Sequence, residues 1–332
     1  MPTINPPPSI ASDPKLLSSW NTYIQMSTTT GAVIPSPKAK KTVSEKETPM
    51  VPLPPKKGFT FGCDPEGFIF KVGESTPIPA AGIIPGTKFR PHKINQGAVQ
   101  VDGMAAEFNT DPASSYEEWE DNIASVISQL TKMLPAGYEI RWDAVAKFSP
   151  EIFDAAPDEN KELGCQPDFD AWTGATNPPP RPENPYLRCA GGHLHIGWTE
   201  DEDMSDLQHL MNCQDFVKQL DWYLGGWSAK TDPDRVRRSL YGKMGAMRYK
   251  PYGVEYRVLS NFWVASKELR LEVWNRMLTA IEYMRDIYIP ERANQNLTNM
   301  LRASIDKHVF SKDLDKYCEF PIATLNASRC RL

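Results

Sequence analysis

Gly191-Gly192-His193-Leu194-His195-Ile196-Gly197 is the stretch that decides the fold. Apolar and polar residues alternate with a period of two, the spacing of a half-buried strand rather than of a helix. Both imidazoles therefore project from one face while Leu194 and Ile196 project from the other, and the flanking glycines allow close backbone approach. Three further segments repeat the arrangement, with polar residues at i and i+2 in apolar surroundings: Asp64/Glu66, Glu107/Asn109 and Glu255/Arg257. Such pairs are what a site built on a sheet requires.

Strands bearing carboxylates and a His-x-His strand on one concave surface make a cage for hard divalent cations, with Arg257 left for an anion. Metal plus phosphate points to ATP chemistry, with Mg²⁺ or Mn²⁺ favoured over zinc because the remaining donors are oxygens. Each pair has a plainer reading. The histidines can be satisfied structural residues, Asp64-Pro65-Glu66 can be a solvated turn, and Glu255 with Arg257 can be an ion pair. Glu107 carries more weight, because Met104-Ala-Ala-Glu107-Phe-Asn109 sets a carboxylate in small, apolar surroundings where an unpaired charge is costly. Of the basic residues, Lys88 and Arg248 are the candidates for phosphate or carboxylate, since no glycine-rich phosphate loop is present.

The 332 residues suffice for one large domain or two ordinary ones. A formal charge of −5 supplies no basic field for a phosphate backbone, which argues against duplex nucleic acid as the main ligand. The six cysteines include no C-x-x-C pair, which argues against a zinc finger and a disulfide framework and fits a reducing cytoplasm. No apolar run has the length of a membrane span. Residues 1–57 are rich in Pro, Ser and Thr and read as a disordered arm, either a solvated linker or a docking tail for a partner protein. Residues 58–332 then form the folded domain.

Within that domain, 59–70 reads as two short strands around an Asp-Pro-Glu turn or bulge, since proline implies a strand end or an edge. Residues 98–109 read as a strand pair or one bent strand, and Ser115 with Glu118 as a capping box opening an amphipathic helix. Residues 149–188 are proline-rich and read as a long loop. Further helices are expected over 205–224 and from Ser266 to about 287, with strands over 187–198 and 256–264. Paired strands with helices between the pairs predict an α+β domain, a largely antiparallel curved sheet backed by helices, rather than a doubly wound parallel sheet.

These blocks, together with Gly86-Thr-Lys88, Val99-Gln-Val-Asp102-Gly-Met, Cys165-Gln-Pro-Asp168 and Arg248-Tyr-Lys-Pro-Tyr-Gly-Val-Glu255-Tyr-Arg257, resemble the phage carboxylate-amine ligases of the type 2 amidoligase family. That family shares the glutamine synthetase and glutamate-cysteine ligase fold. The resemblance implies metal ligands at Asp64, Glu66, His193 and Glu255, to which the residues themselves add Glu107. It places His195 toward the nucleotide, where Asn109 is a further candidate, and Arg257 against the transferred phosphate or a substrate carboxylate. One departure is that the first acid is Asp beside Pro, where the superfamily often has Glu-x-Glu.

The expected activity is ATP-dependent formation of an amide or isopeptide bond between small-molecule or peptide carboxylate and amine substrates, through an acyl phosphate. Two alternatives stand beside it: another phosphotransferase on the same fold, and a phage structural or accessory protein that retains the fold and docks to a phage or host partner through the arm.

Overall fold

The computed structural model describes residues 50–54, 58–161, 168–286 and 295–307. Most of the expected arm lies outside them. Leu53, assigned by sequence to the arm, is buried in the core, its N–H donating to Asn275 Oδ1 at 2.6 Å and its carbonyl accepting from Trp274 Nε1 at 3.0 Å.

Twelve strands are described: β1 (Thr60–Lys71), β2 (Pro77–Ile78), β3 (His92–Ile94), β4 (Gly97–Asp102), β5 (Ala105–Thr110), β6 (Tyr138–Arg141), β7 (Val145–Lys147), β8 (Phe169–Asp170), β9 (Leu187–Cys189), β10 (Gly192–Gly197), β11 (Ala246–Lys250) and β12 (Gly253–Tyr256). The main sheet runs β3-β4-β5-β1-β10-β12-β11-β8, with β2 and β6 also on β1, while β7 and β9 pair separately. Each of these strand pairings is antiparallel, as the α+β expectation requires.

The expected break at Asp64-Pro65-Glu66 is absent, for β1 is one continuous strand at the middle of the sheet. The register explains how it tolerates a proline. Glu66 N–H donates to Gly191 on the β10 side, whereas Phe61 N–H donates to Ala113 on the other side, so Pro65 shares Phe61's orientation. On that side Cys63 N–H already goes to the Thr110 hydroxyl, and regular pairing with β5 begins only at Glu66. The ladder lapses where Pro65 has no N–H to give.

Four helices matter most: α1 (Tyr116–Met133), α2 (Leu207–Leu220), α3 (Lys267–Asp286) and α4 (Gln295–Lys307). Ser115 caps α1 by accepting from Glu118 N–H, and the Glu118 carboxylate returns to Ser114 N–H, one residue before the expected partner. Helix α2 continues through a π-helical turn, Asp221–Gly225. Three other expectations shift. The strand expected over 256–264 ends at Tyr256 and gives way to a 3₁₀ turn, Asn261–Ala265. The strand expected over 187–198 is two strands, parted at Ala190-Gly191. The long loop 149–188 carries short helical turns at Pro150–Ala155 and Asp158–Lys161, then β8 and β9.

The alternation along each strand sorts side chains by face. Phe61, Cys63, Leu194, Ile196, Val254 and Tyr256 join one core with Trp119 and Ile123 of α1, Phe216 of α2 and Trp274 of α3. Trp119 stacks on Trp263 at 5.7 Å, and Trp274 meets Phe61 edge-on at 4.9 Å. Burial of such rings is worth about 1.5–3 kcal/mol each. The residues between them, Asp64, Glu66, His193, His195, Glu255 and Arg248, are thereby committed to the opposite face.

Candidate active site

Strand register assembles the candidate residues in a row. Asp64 pairs with His193, His195 with Glu255, and Arg248 with Glu255. Across β1 in the other direction, Glu66 pairs with Glu107 and Glu107 with Gln100. Directly paired residues share a face, so five strands, β1, β5, β10, β11 and β12, bring their acids, imidazoles and guanidinium groups together over one cavity of about 460 Å³. Asp64, Glu66, Lys88, Glu107, His193, Arg248, Glu255 and Arg257 all line it. His195 stands beside it on Asp64, and Asn109, half-buried near the end of β5, does not line it.

Two groups of side chains each bring three donor atoms within 4.8 Å of one another: Glu66, Asp102 and Glu107, and Asp64, His195 and Glu255. Asp102 was not among the residues singled out from sequence. It precedes the hairpin turn at Gly103 (φ 58) joining β4 to β5, and so its carboxylate lies across the hairpin from the Glu107 strand. An Asp-Gly turn ahead of a strand with a buried acid was the available signal.

The first group has the electrostatics of a cation site. Burial, then the Asp102 charge, pushes the Glu66 carboxyl up to about 7. Burial, then Asp64 and Asp102, holds Glu107 well above the usual carboxylate range. What opposes these charges is modest: Gly191 N–H donates to Glu66 Oε2 at 2.9 Å, and Lys88 Nζ lies 3.0 Å from Asp102 Oδ2. The crowding of carboxylate charge that raises Glu66 and Glu107 is what a divalent cation relieves, and the all-oxygen set suits Mg²⁺ or Mn²⁺.

The second group is more crowded. Glu255 faces Lys250 at 2.8 Å, Arg248 at 3.5 Å and the Arg257 guanidinium, with which it hydrogen-bonds. Burial alone would raise the Glu255 carboxyl, but Arg257, then His195 and Lys250, hold it below the usual range. Burial, then Arg257, pulls His193 down to about 4, so its ring is neutral at pH 7. Arg257 Nη1 can only donate, and at 3.3 Å it makes His193 Nδ1 the acceptor. Nδ1 then faces Asp64 Oδ1, 3.4 Å away, lone pair to lone pair, and that oxygen is buried with no hydrogen-bond donor. That orphaned Asp64 oxygen, in a group with His195 and Glu255, fits a cation too, provided one of the groups on Glu255 gives way. His195 differs from its neighbour: burial lowers it, but Asp64, 3.1 Å from Nε2, outweighs burial and raises it, while Nδ1 meets the Tyr252 hydroxyl. The imidazole expected toward the nucleotide thus groups with the acids, and the one expected on the metal touches Arg257 as well.

Gly191 makes this packing feasible. A Cβ there would lie 2.2 Å from His193 Nε2 and 2.5 Å from Cε1. Gly191→Ala is therefore expected to displace the His193 ring from its buried position. The measurement is the NMR titration of that imidazole, which should move from about 4 toward its ordinary value; an unchanged titration would show that the ring is not held by this contact.

No protein-family model matches the chain, and no curated protein sequence matches it. Among solved structures, 39 chains are similar. One is a bifunctional glutathione synthetase from Pasteurella multocida, 12% identical, with a TM-score of 0.46 over 76% of this chain and 41% of that one. The chain thus spans less than half of that protein's length, and a likeness at this level assigns neither substrate nor reaction.

Proposed function

We propose that the chain is an ATP- and divalent-metal-dependent carboxylate-amine ligase on a glutamine synthetase-like sheet. What supports the reading is one cavity in which an all-oxygen acid group (Glu66, Asp102, Glu107) stands beside a line of cations (Arg257, Arg248, Lys250, Lys88). The resemblance noted from sequence points to the same chemistry. Glu66, Asp102 and Glu107 would hold one cation, and Asp64 and Glu255 with an imidazole a second. When bound, such cations would neutralise phosphate charge.

The chain's own part is positioning and charge. Arg257 is held between Glu255 and Asp168, whose Oδ2 lies 3.5 Å from Nε, so its orientation is fixed before substrate arrives. Preorganised positive charge stabilises a phosphoryl group in transfer without reorganisation. A substrate carboxylate oxygen attacks the γ-phosphorus and ADP leaves; an amine nitrogen then attacks the acyl carbon, and inorganic phosphate leaves with the bond that formed. No side-chain nucleophile is required. Cys189, the cavity's thiol, is pushed up to about 12 by burial, which removes it as a thiolate at neutral pH.

The test is incubation with ATP, Mg²⁺ and hydroxylamine against pools of carboxylates. A hydroxamate is expected, formed in step with ADP. A stable phosphorylated product without hydroxamate would transfer the same cavity to a phosphotransferase, and no nucleotide turnover with any pool would overturn the enzymatic reading.

A further inference from the structure

The same cavity has a second basic wall that the proposed chemistry does not use. Arg188 and Arg237 both line it, and both are buried, at 6% and 3% exposure. Tyr241 lines it as well, within electrostatic reach of Cys189, Glu66, Arg257 and Arg188. Neither arginine forms a salt bridge among the described residues; their partners are main-chain carbonyls. Arg188 donates to Pro185, Leu187 and Lys161, and its guanidinium sits 4.4 Å over the Phe153 ring. Arg237 donates to Val258 at 3.0 Å and to Arg257 at 3.4 Å. The Nε of each is buried without an acceptor.

Carbonyl dipoles orient a guanidinium but do not cancel its charge. A buried, uncancelled cation is expensive, and natural proteins pair such groups. Arg188 and Arg237 line the cavity with Tyr241, have no carboxylate in salt-bridge range among the described residues, and each keep an Nε–H with no acceptor. A planar carboxylate matches guanidinium donors in both charge and shape.

We infer that Arg188, Arg237 and Tyr241 form a carboxylate-binding subsite, so that the substrate carries a recognition carboxylate separate from the one that reacts. The inference rests on the ligase reading for the identity of the reacting group, but the binding itself does not. Burial lowers both guanidinium groups; at Arg237 Cys189 and the more distant Asp232 and Glu66 charges offset part of it, whereas at Arg188 what offsets it is Tyr241 and Cys189, neither charged at neutral pH. A recognition carboxylate supplies the missing negative charge. Two sources share that chemistry, a small dicarboxylate and the carboxy terminus of a peptide.

The experiment is calorimetric binding to the full-length chain, dialysed free of metal and without nucleotide. Glutarate is compared with its diamide, and a short peptide whose carboxy terminus is its one carboxylate with its amidated form. One acid is expected to bind at least about tenfold more tightly than its amide, and the pair that shows the difference names the source. In Tyr241→Phe and Arg237→Gln that preference should fall to within about twofold. Equal binding of acid and amide by the unmodified chain, in both pairs, would overturn the inference. So would variants that melt earlier yet keep the preference, since the arginines would then serve only to hold backbone carbonyls. If Arg237→Gln does not fold, the unmodified chain and Tyr241→Phe still decide. Because no ATP is present, failure of hydroxamate formation and failure of this preference are separate results.

Discussion

Arg257→Ala lowers the rate of hydroxamate formation by about 10²- to 10³-fold, the loss expected when one preorganised charge is removed from a transition state, of order 2–4 kcal/mol. The metal concentration needed for half-maximal rate changes little, because Glu255 stays where it is. It keeps Lys250 at 2.8 Å and Arg248 at 3.5 Å, so losing Arg257 does not leave a buried carboxylate alone. For the same reason the stability loss stays below the ~3–5 kcal/mol that follows when a buried pair is broken outright. Arg257→Lys keeps the charge but not the fork that meets Asp168 and Glu255 together, and recovers only part of the rate. Glu255→Gln has the reverse signature: a higher metal requirement, and a lower melting temperature because three cationic groups then face a neutral amide. If the pair were only a structural ion pair, both substitutions would lower the melting temperature and leave turnover per folded molecule intact. Turnover, metal titration and melting on the same variants decide between the two.

Much of this arrangement was legible in the sequence because period-two alternation is a property of few residues and needs no long-range information. His193/His195 and Glu255/Arg257 share a face for the reason their spacing implies, and Trp119, Ile123, Val126 and Leu130 bury the face of α1 that their spacing marks. What was not legible depended on partners distant in sequence. Pro65 reads as a strand end until the Thr110 hydroxyl is found on Cys63 N–H, which spares the ladder a donor there. Asp102 reads as a turn residue until the β4–β5 register sets it beside Glu66 and Glu107. Leu53 reads as part of a proline-rich tail until Asn275 and Trp274, more than two hundred residues away, are seen to hold it. Arg188 and Arg237 carry no sequence signal at all, because burial without a carboxylate is visible only in three dimensions.

The acid group makes metal affinity depend steeply on pH. With no cation bound, Glu66 titrates at about 7 and Glu107 is held well above the usual carboxylate range, so the group keeps protons that the free acids would have lost. A divalent cation binds the ionised forms and must expel those protons. Between pH 6 and 8 the affinity for Mn²⁺ is expected to rise at least about tenfold from Glu66 alone, and further from Glu107. The sign for stability without metal is opposite. Both carboxyls are raised on folding, so their contribution is fully present below the unfolded carboxyl value and is lost as pH rises through the folded one. The metal-free protein should therefore melt progressively earlier from pH 5 to 8, a trend to which Asp221, pushed up to about 7 by burial, also adds, and saturating Mn²⁺ should reduce it by the share of the two glutamates. His193 opposes the trend in the acid half of the window: lowered to about 4, it is neutral in the folded state, while the unfolded ring keeps its charge until pH rises through its ordinary value, so this one group partly offsets the two carboxyls there. Calorimetry in two buffers of different ionisation enthalpy counts the protons released, and Glu107→Gln should lower that count by up to one while weakening binding. Binding that is flat in pH and releases no protons would mean that the three carboxyls do not hold the cation.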